Sequence, residues 1–209
     1  MRTVLVTGGT VRLGLAVAER LRADGWRVVT SSHRADSGAD IVADLSEPLG
    51  AARLYSDCLR LLGGLPPDAL VNNAALYTGD AAAMECVNLT APQKLTMMMA
   101  GRETGRGSVV NVLDCRVLGC APAGEGVYER TKRALLEYTL KSAAMFAATL
   151  RVNAVAPGPV LAPTCVSEKA GDTPLGRPTV ADVAAAVAYL LDAPATSGCV
   201  IPVDGGQSL

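Results

Sequence analysis

Tyr128 and Lys132 stand one helical turn apart in the run Val127-Tyr128-Glu129-Arg130-Thr131-Lys132. On a helix the i and i+4 positions share a face, so a phenol and an ammonium are held side by side. The ammonium favours the phenolate and is expected to lower the tyrosine pKa from its reference of about 10. Tyr128 then becomes a proton donor or acceptor near neutral pH. A lone Tyr-x-x-x-Lys pair also arises from unrelated surface residues. Here it follows the turn Thr7-Gly8-Gly9-Thr10-Val11-Arg12-Leu13-Gly14, then Asn72-Asn73-Ala74-Ala75, then an apolar run ending Leu113-Asp114. In that order the set reads as a nucleotide-bound hydride donor held near an ionisable phenol.

The glycine turn suits a pyrophosphate. Gly8, Gly9 and Gly14 let the backbone approach phosphate oxygens, and the N-terminus of the following helix favours their charge. An ordinary tight turn also uses glycine, but this one falls in the first strand-to-helix connection. The second strand ends Ser31-Ser32-His33-Arg34. A carboxylate there would bond ribose hydroxyls and repel a 2′-phosphate. This strand end has none, and Asp36 comes two residues after Arg34. Arg34 can fork onto a phosphate, with Ser32 and His33 as donors and Arg12 as a second cation. The expected cofactor is therefore NADP(H) rather than NAD(H). The alternatives are a solvated charge for Arg34 and an exposed loop histidine for His33. Asp44-Leu45 follows the third strand, where Asp44 either accepts from an adenine amino group or opens a helix. Asn73 and Ala74 close the fourth strand at the carboxyl edge, where small residues let a cofactor lie against the backbone. Asp114 is either a working carboxyl or a strand-end turn residue.

Alternating elements must position these groups. Apolar runs predict strands at Val4–Val6, Trp26–Thr30, Ala39–Ala43, Ala69–Val71, Ser108–Leu113, Leu150–Val155 and Cys199–Val203, with Pro202 at a strand end or edge. Helical spacing predicts helices from Leu13 to about Asp24, over 47–62, 84–101 and 125–147, and from Thr179 through Leu191 with Asp182 at the capping-box position. A Pro/Gly-rich loop runs from Pro157 to Pro178. Strands alternating with helices imply βαβ units with right-handed crossovers, hence an α/β domain.

The 209 residues suit one domain, 1–209, with a substantial core. The formal net charge of −1 offers no basic stripe for nucleic acid. Signal-peptide and membrane-spanning patterns are not found, so a cytoplasmic protein with no membrane partner is expected. Cys58, Cys86, Cys115, Cys120, Cys165 and Cys199 are scattered and His33 is the only histidine, so reduced thiols and no metal are expected.

With these motifs in hand, the chain resembles the short-chain dehydrogenase/reductase family over essentially its whole length. The likeness is carried by the Thr7-to-Gly14 turn, Asn72-Asn73-Ala74, Asn88 in Val87-Asn88-Leu89, Tyr128 with Lys132, Arg151-Val152-Asn153 with Pro157-Gly158, and Val203-Asp204-Gly205-Gly206. The resemblance implies a doubly wound (Rossmann-type) parallel sheet of about seven strands, with helices on both faces. It implies hydride transfer, Pro157 and Gly158 at the cofactor, and Asn88 anchoring a water-mediated proton relay to Lys132. Lys132 would also bond the nicotinamide ribose. A homotetramer or homodimer is implied by analogy.

Two departures narrow the resemblance. Arg12 stands where the usual turn has glycine, and Asp114 where the usual catalytic residue is serine. Both are similar to the pteridine reductase branch, as are the His33-Arg34 step and the ending from Val203 to Leu209. That branch implies a small-molecule substrate of dihydropterin type: dihydrobiopterin, dihydromonapterin or dihydrofolate. Tyr77 would stack on it, with Asp114 and Tyr128 touching it. A carboxyl can exchange protons or accept amino-pyrimidine hydrogens. Only 12 residues separate Ala75 from Asn88, and the loop after Pro157 is compact, so the substrate walls are shorter than the family's. A reductase of another small carbonyl or imine, and an NADP(H)-binding sensor without turnover, are the competing expectations.

Overall fold

Successive residues of a parallel strand face opposite helix layers, so a strand buried on both sides must be apolar at every position. The run Val4-Leu5-Val6 meets that demand, with all three side chains inaccessible to solvent. Val4 and Val6 pack in one apolar layer and Leu5 in the other. The computed structural model describes residues 1–102, 105–119, 125–161 and 173–209. Its strands are β1 (Thr3–Thr7), β2 (Arg27–Ser32), β3 (Ile41–Val42), β4 (Ala69–Asn72), β5 (Gly107–Val112), β6 (Leu150–Pro157) and β7 (Val200–Val203). They form one seven-stranded sheet in the order β3-β2-β1-β4-β5-β6-β7, and every neighbouring pair is parallel.

The helices are α1 (Arg12–Ala23), α2 (Gly50–Leu61), α3 (Ala81–Glu85), α4 (Ala91–Ala100), α5 (Val127–Met145) and α6 (Val180–Asp192). Side chains of α1 and α6 cover one sheet face through Val17, Leu21, Val183 and Val187. Those of α2 and α4 cover the other through Leu54, Cys58, Leu95 and Met99. The sheet is therefore doubly wound. Its order reverses between β1 and β4, and ligands bind at the carboxyl ends of strands beside such a switch point.

Three element boundaries differ from the sequence pattern for local reasons. The third strand pairs only at Ile41 and Val42. Asp40 turns its carboxylate back to accept from the Thr30 N–H and hydroxyl, both at 2.7 Å. The helix expected from residue 84 starts at Ala81, because Asp80 caps it by accepting from Ala83 N at 2.9 Å. Between α3 and α4 the chain makes a π-turn over Cys86–Thr90 with Asn88 at its centre. The capping box at Thr179 and Asp182 forms as expected.

The Arg151-Val152-Asn153 run turns out to be a fastening. Arg151 is 8% exposed and donates to the carbonyls of Leu190 (2.8 Å), Leu191 (2.7 Å) and Thr196 (3.1 Å) and to Ser108 Oγ (3.0 Å). It satisfies the last carbonyls of α6 and sets a cation at that helix's negative end. Arg151→Met keeps length and removes the donors. Each buried carbonyl left without a partner costs about 1–3 kcal/mol. Thermal denaturation should show Tm lower by about 4–8 °C, corresponding to roughly 2 kcal/mol in a domain of this size; an unchanged Tm would deny Arg151 this role.

Candidate active site

A cleft of about 900 Å³ runs along the carboxyl ends of β1, β2, β4 and β5. It begins at the glycine turn. Gly8 (φ 64°) and Arg12 (φ 52°) both take left-handed backbone conformations. That conformation costs a non-glycine residue roughly 1–2 kcal/mol, which explains why glycine is the usual occupant where this chain has Arg12. A Cβ on Gly14 would run into Gly8 O and Asn73 Nδ2, so only glycine lets α1 close on the turn. Asn73 locks the arrangement: its Nδ2 donates to Thr7 O (2.9 Å) and Gly8 O (3.1 Å). Thr7 Oγ1 in turn accepts from Asn73 N and Ala74 N, both at 3.0 Å. The turn and helix N-terminus thus make a cradle with the backbone donors a pyrophosphate needs.

Gly8, Arg12, Leu13 and Gly14, Ser32, His33 and Arg34, Asp44 and Leu45, Asn73 and Ala74, Lys132, Pro157 and Gly158 line this cleft, whereas Gly9 does not and packs instead against Thr30 and Val6 O. Ser37 and Ser46 line it too and carried no sequence signal. Arg34 is exposed and forks onto Asp36, with Nε–Oδ1 at 3.1 Å and Nη2–Oδ2 at 2.8 Å. This pair holds the guanidinium at the rim and raises the Arg34 pKa through the hydrogen bond and charge of Asp36. Asp44 does not open a helix, since α2 starts only at Gly50. Its Oδ1 accepts from Ser46 N (2.9 Å) and Ser46 Oγ (2.7 Å), bonds that lower its pKa.

The reacting end gathers on β5 and α5. Tyr128 Oη donates to Asp114 Oδ2 at 3.2 Å, and Lys132 Nζ donates to Val112 O at 2.7 Å. Lys132 is only 2% exposed. The expectation that its ammonium lowers the Tyr128 pKa is corrected here. Burial and then the Asp114 charge push the phenol above its ordinary value. The hydroxyl faces a carboxylate, whereas Nζ lies 5.9 Å from the ring centroid. Burial also raises the Asp114 carboxyl, but hydrogen bonds and charge from Arg116 outweigh that and hold it below the usual range.

Arg116 was not singled out by sequence. It donates to Asp114 through Nε and Nη2, both at 3.0 Å, and its Nη1 pairs with Glu129 Oε1 at 2.9 Å. An Asp-x-Arg step at a strand end was the available signal. Asn88 is fully buried and does not line the cleft. Its side chain exchanges hydrogen bonds with the backbone of Leu76, both at 2.8 Å, and donates to Thr131 Oγ1 at 3.1 Å. These bonds tie the segment after β4 to α5. Tyr77 also lies outside the cleft lining. Its ring packs edge-on against Tyr128 with centroids 4.8 Å apart.

Among the described residues, no group of three or more His, Cys, Asp or Glu could hold a metal ion, and no helix is long and apolar enough to cross a membrane. Cys58, Cys86, Cys115 and Cys199 are free thiols. Cys120, Cys165 and most of the loop between Pro157 and Pro178 lie outside the described residues.

Residues 66–208 match the family described as enoyl-(acyl carrier protein) reductase. A solved short chain dehydrogenase/reductase family protein is 32% identical, with a TM-score of 0.83 over 99% of this chain and 97% of that one. The FolM alternative dihydrofolate reductase 1 of Brucella canis, solved in complex with NADP, is 31% identical, with a TM-score of 0.85 over 99% of this chain and 94% of that one. Glucose 1-dehydrogenase 2 of Bacillus subtilis is 28% identical, over 100% of this chain and 95% of its own length.

The site carries a pH signature. Burial pushes the Lys132 ammonium down to about 8, opposed by the charge of Asp114. Asp114→Asn removes the charge that favours the ammonium, so Lys132 should lose its proton at lower pH than in the wild type. An NMR titration of the Lys132 side-chain carbons in the two proteins reads this directly. An unchanged or upward midpoint would contradict the coupling.

Proposed function

Because the chain belongs to the short-chain dehydrogenase/reductase family, we propose that it is an NADPH-dependent reductase of a dihydropterin-type substrate: dihydrobiopterin, dihydromonapterin or dihydrofolate. The observation that carries this reading is the carboxylate of Asp114 bonded to the Tyr128 hydroxyl, where the family's usual residue is serine. The likeness to a FolM alternative dihydrofolate reductase supports it.

NADPH, when bound, supplies the hydride. The residues of this chain do the rest. Gly8, Leu13 and the N-terminus of α1 would cradle the pyrophosphate, and Asn73 keeps that turn rigid. Arg34, Ser32 and His33, with Arg12, would hold the 2′-phosphate; Asp44 and Leu45 would hold the adenine. Ala74, Pro157 and Gly158 would hold the nicotinamide end. Lys132 is held by Val112 O within reach of the ribose, and Tyr128 gives the proton that completes reduction of a C=N or C=O bond. Tyr77 walls the phenol, so a flat substrate reaching Tyr128 would meet its ring. Assembly as a homotetramer or homodimer belongs to the same proposal.

A second reading is a reductase of another small carbonyl or imine. It is favoured by the filling of Asp114 by Arg116, which leaves Tyr128 as a donor that any carbonyl oxygen could use.

An NADPH-oxidation panel separates the two. Turnover is expected with at least one of the three dihydropterins and weaker turnover with small ketones, glucose or imines. Oxidation by ketones alone would replace the pterin reading with the second one. NADPH bound without oxidation by any of them would mark a sensor. The cofactor assignment has its own test. Arg34→Ala should weaken NADPH by about 10-fold or more, the equivalent of a charge-assisted bond of about 1.5–3 kcal/mol, while NADH is nearly unaffected. Equal losses for the two nucleotides would remove Arg34 from the 2′-phosphate.

A further inference from the structure

We infer that Arg116 is a positioning residue that holds Asp114 as a filled hydrogen-bond acceptor, so that the proton delivered to substrate leaves Tyr128 and not Asp114. The inference deepens the proposed function, and its second half rests on the reading of Tyr128 as the proton donor.

The lone pairs of Asp114 are all taken. An ionised carboxylate has about four lone-pair sites. Oδ1 of Asp114 accepts from Arg116 N and Arg116 Nε, both at 3.0 Å. Oδ2 accepts from Arg116 Nη2 at 3.0 Å and from Tyr128 Oη at 3.2 Å. Three of the four sites go to one arginine, in the two-pronged geometry that makes such pairs strong. A carboxylate held this way carries no proton to give.

Arg116 is itself anchored on three sides. Its Nη1 pairs with Glu129 Oε1 at 2.9 Å in the first turn of α5 and donates to Tyr77 Oη at 3.5 Å after β4. Its guanidinium carbon lies 5.5 Å from the Tyr77 ring centroid and 5.3 Å from that of Tyr128. The titratable groups facing the pair are Tyr77 from the β4 side, Tyr128, Glu129 and Lys132 from α5, and Cys115, whose own neighbour is Asp204. The Arg116 charge favours ionisation of both Asp114 and Tyr128. It therefore lets a carboxylate orient the phenol without wholly suppressing its acidity. In the step itself the Tyr128 O–H bond breaks as the new N–H or O–H bond of the substrate forms. The substrate carbon is reduced by hydride from NADPH, and water returns the proton to the phenolate.

The test compares wild type, Arg116→Gln and Arg116→Lys. Without substrate, carbon-13 NMR follows Asp114 Cγ through a pH titration. Its midpoint should lie higher in R116Q than in wild type, and in R116K it should fall between the two because an ammonium cannot fork. If R116Q does not fold, R116K against wild type decides the point. An unchanged Asp114 midpoint in the folded variants overturns the inference. With dihydrobiopterin and NADPH, R116Q should lose kcat at neutral pH, by roughly 10- to 100-fold for a misplaced proton donor, with the whole pH profile moved upward. Were Asp114 the acid, raising its pKa would increase its protonated fraction and R116Q would be faster at neutral pH; a gain of that kind also overturns the inference. If wild type leaves dihydrobiopterin unchanged, this arm is run with dihydromonapterin and dihydrofolate, and the pterin reading fails only if all three are left unchanged. The NMR arm still decides whether Arg116 holds Asp114.

Discussion

Taking charge out of water is costly unless each charged group finds partners close by. That constraint shapes the reacting end of this molecule. Lys132, on α5, is buried against the Val112 carbonyl at the end of β5. Asp114 is largely withdrawn from solvent two residues further on and is satisfied by Arg116 and Tyr128. Because β5 and α5 each supply part of the set, the register of β5 against β4 and β6 fixes where the phenol stands. The pairing with both neighbouring strands, the two helix layers, the α6 fastening at Arg151 and the Asn88 tie to Leu76 hold that register. A shift of one residue in β5 would turn the Val112 carbonyl away from Lys132 and leave a buried ammonium without its partner.

The rest of the cleft follows from topology. Parallel strands bring their carboxyl ends to one edge, and the reversal of order between β1 and β4 opens a crevice there. A nucleotide lying across it meets, in succession, a strand end with arginine, a glycine turn at a helix N-terminus, small residues after β4, and the phenol. None of these groups needs to be near another in sequence, and all but the phenol, which stands on α5, are strand-end features.

That is why residues lining the cleft are legible from the chain alone. Strand ends announce themselves by the close of an apolar run, and Arg34 and Asn73 sit just past one, whereas Gly158 is placed by the family resemblance. Tyr128 and Lys132 were legible because helical spacing places them without knowledge of the fold. The tyrosine's acidity was not legible. It depends first on burial and then on the charge of Asp114, a neighbour in space, and neither is visible in the helical spacing. Arg116 was missed because it lies on a 3-10 turn at Cys115–Val117, where no periodicity marks which way a side chain points. Tyr77 was placed by resemblance, and in the folded chain its ring rests against Tyr128 outside the cleft lining. For Asp44 the chain alone allows two roles, and the start of α2 at Gly50 decides against the helix.

The central claim is that the Tyr128 hydroxyl provides the proton for a reduction driven by bound NADPH. Tyr128→Phe keeps the ring that packs on Tyr77 and removes only the ionisable oxygen. Nucleotide affinity, read by NADPH fluorescence, should stay near wild type, while single-turnover NADPH oxidation slows by about 10²–10⁴-fold, the usual contribution of a positioned acid or base. Wild-type turnover in that variant would contradict the account and pass the proton to another group.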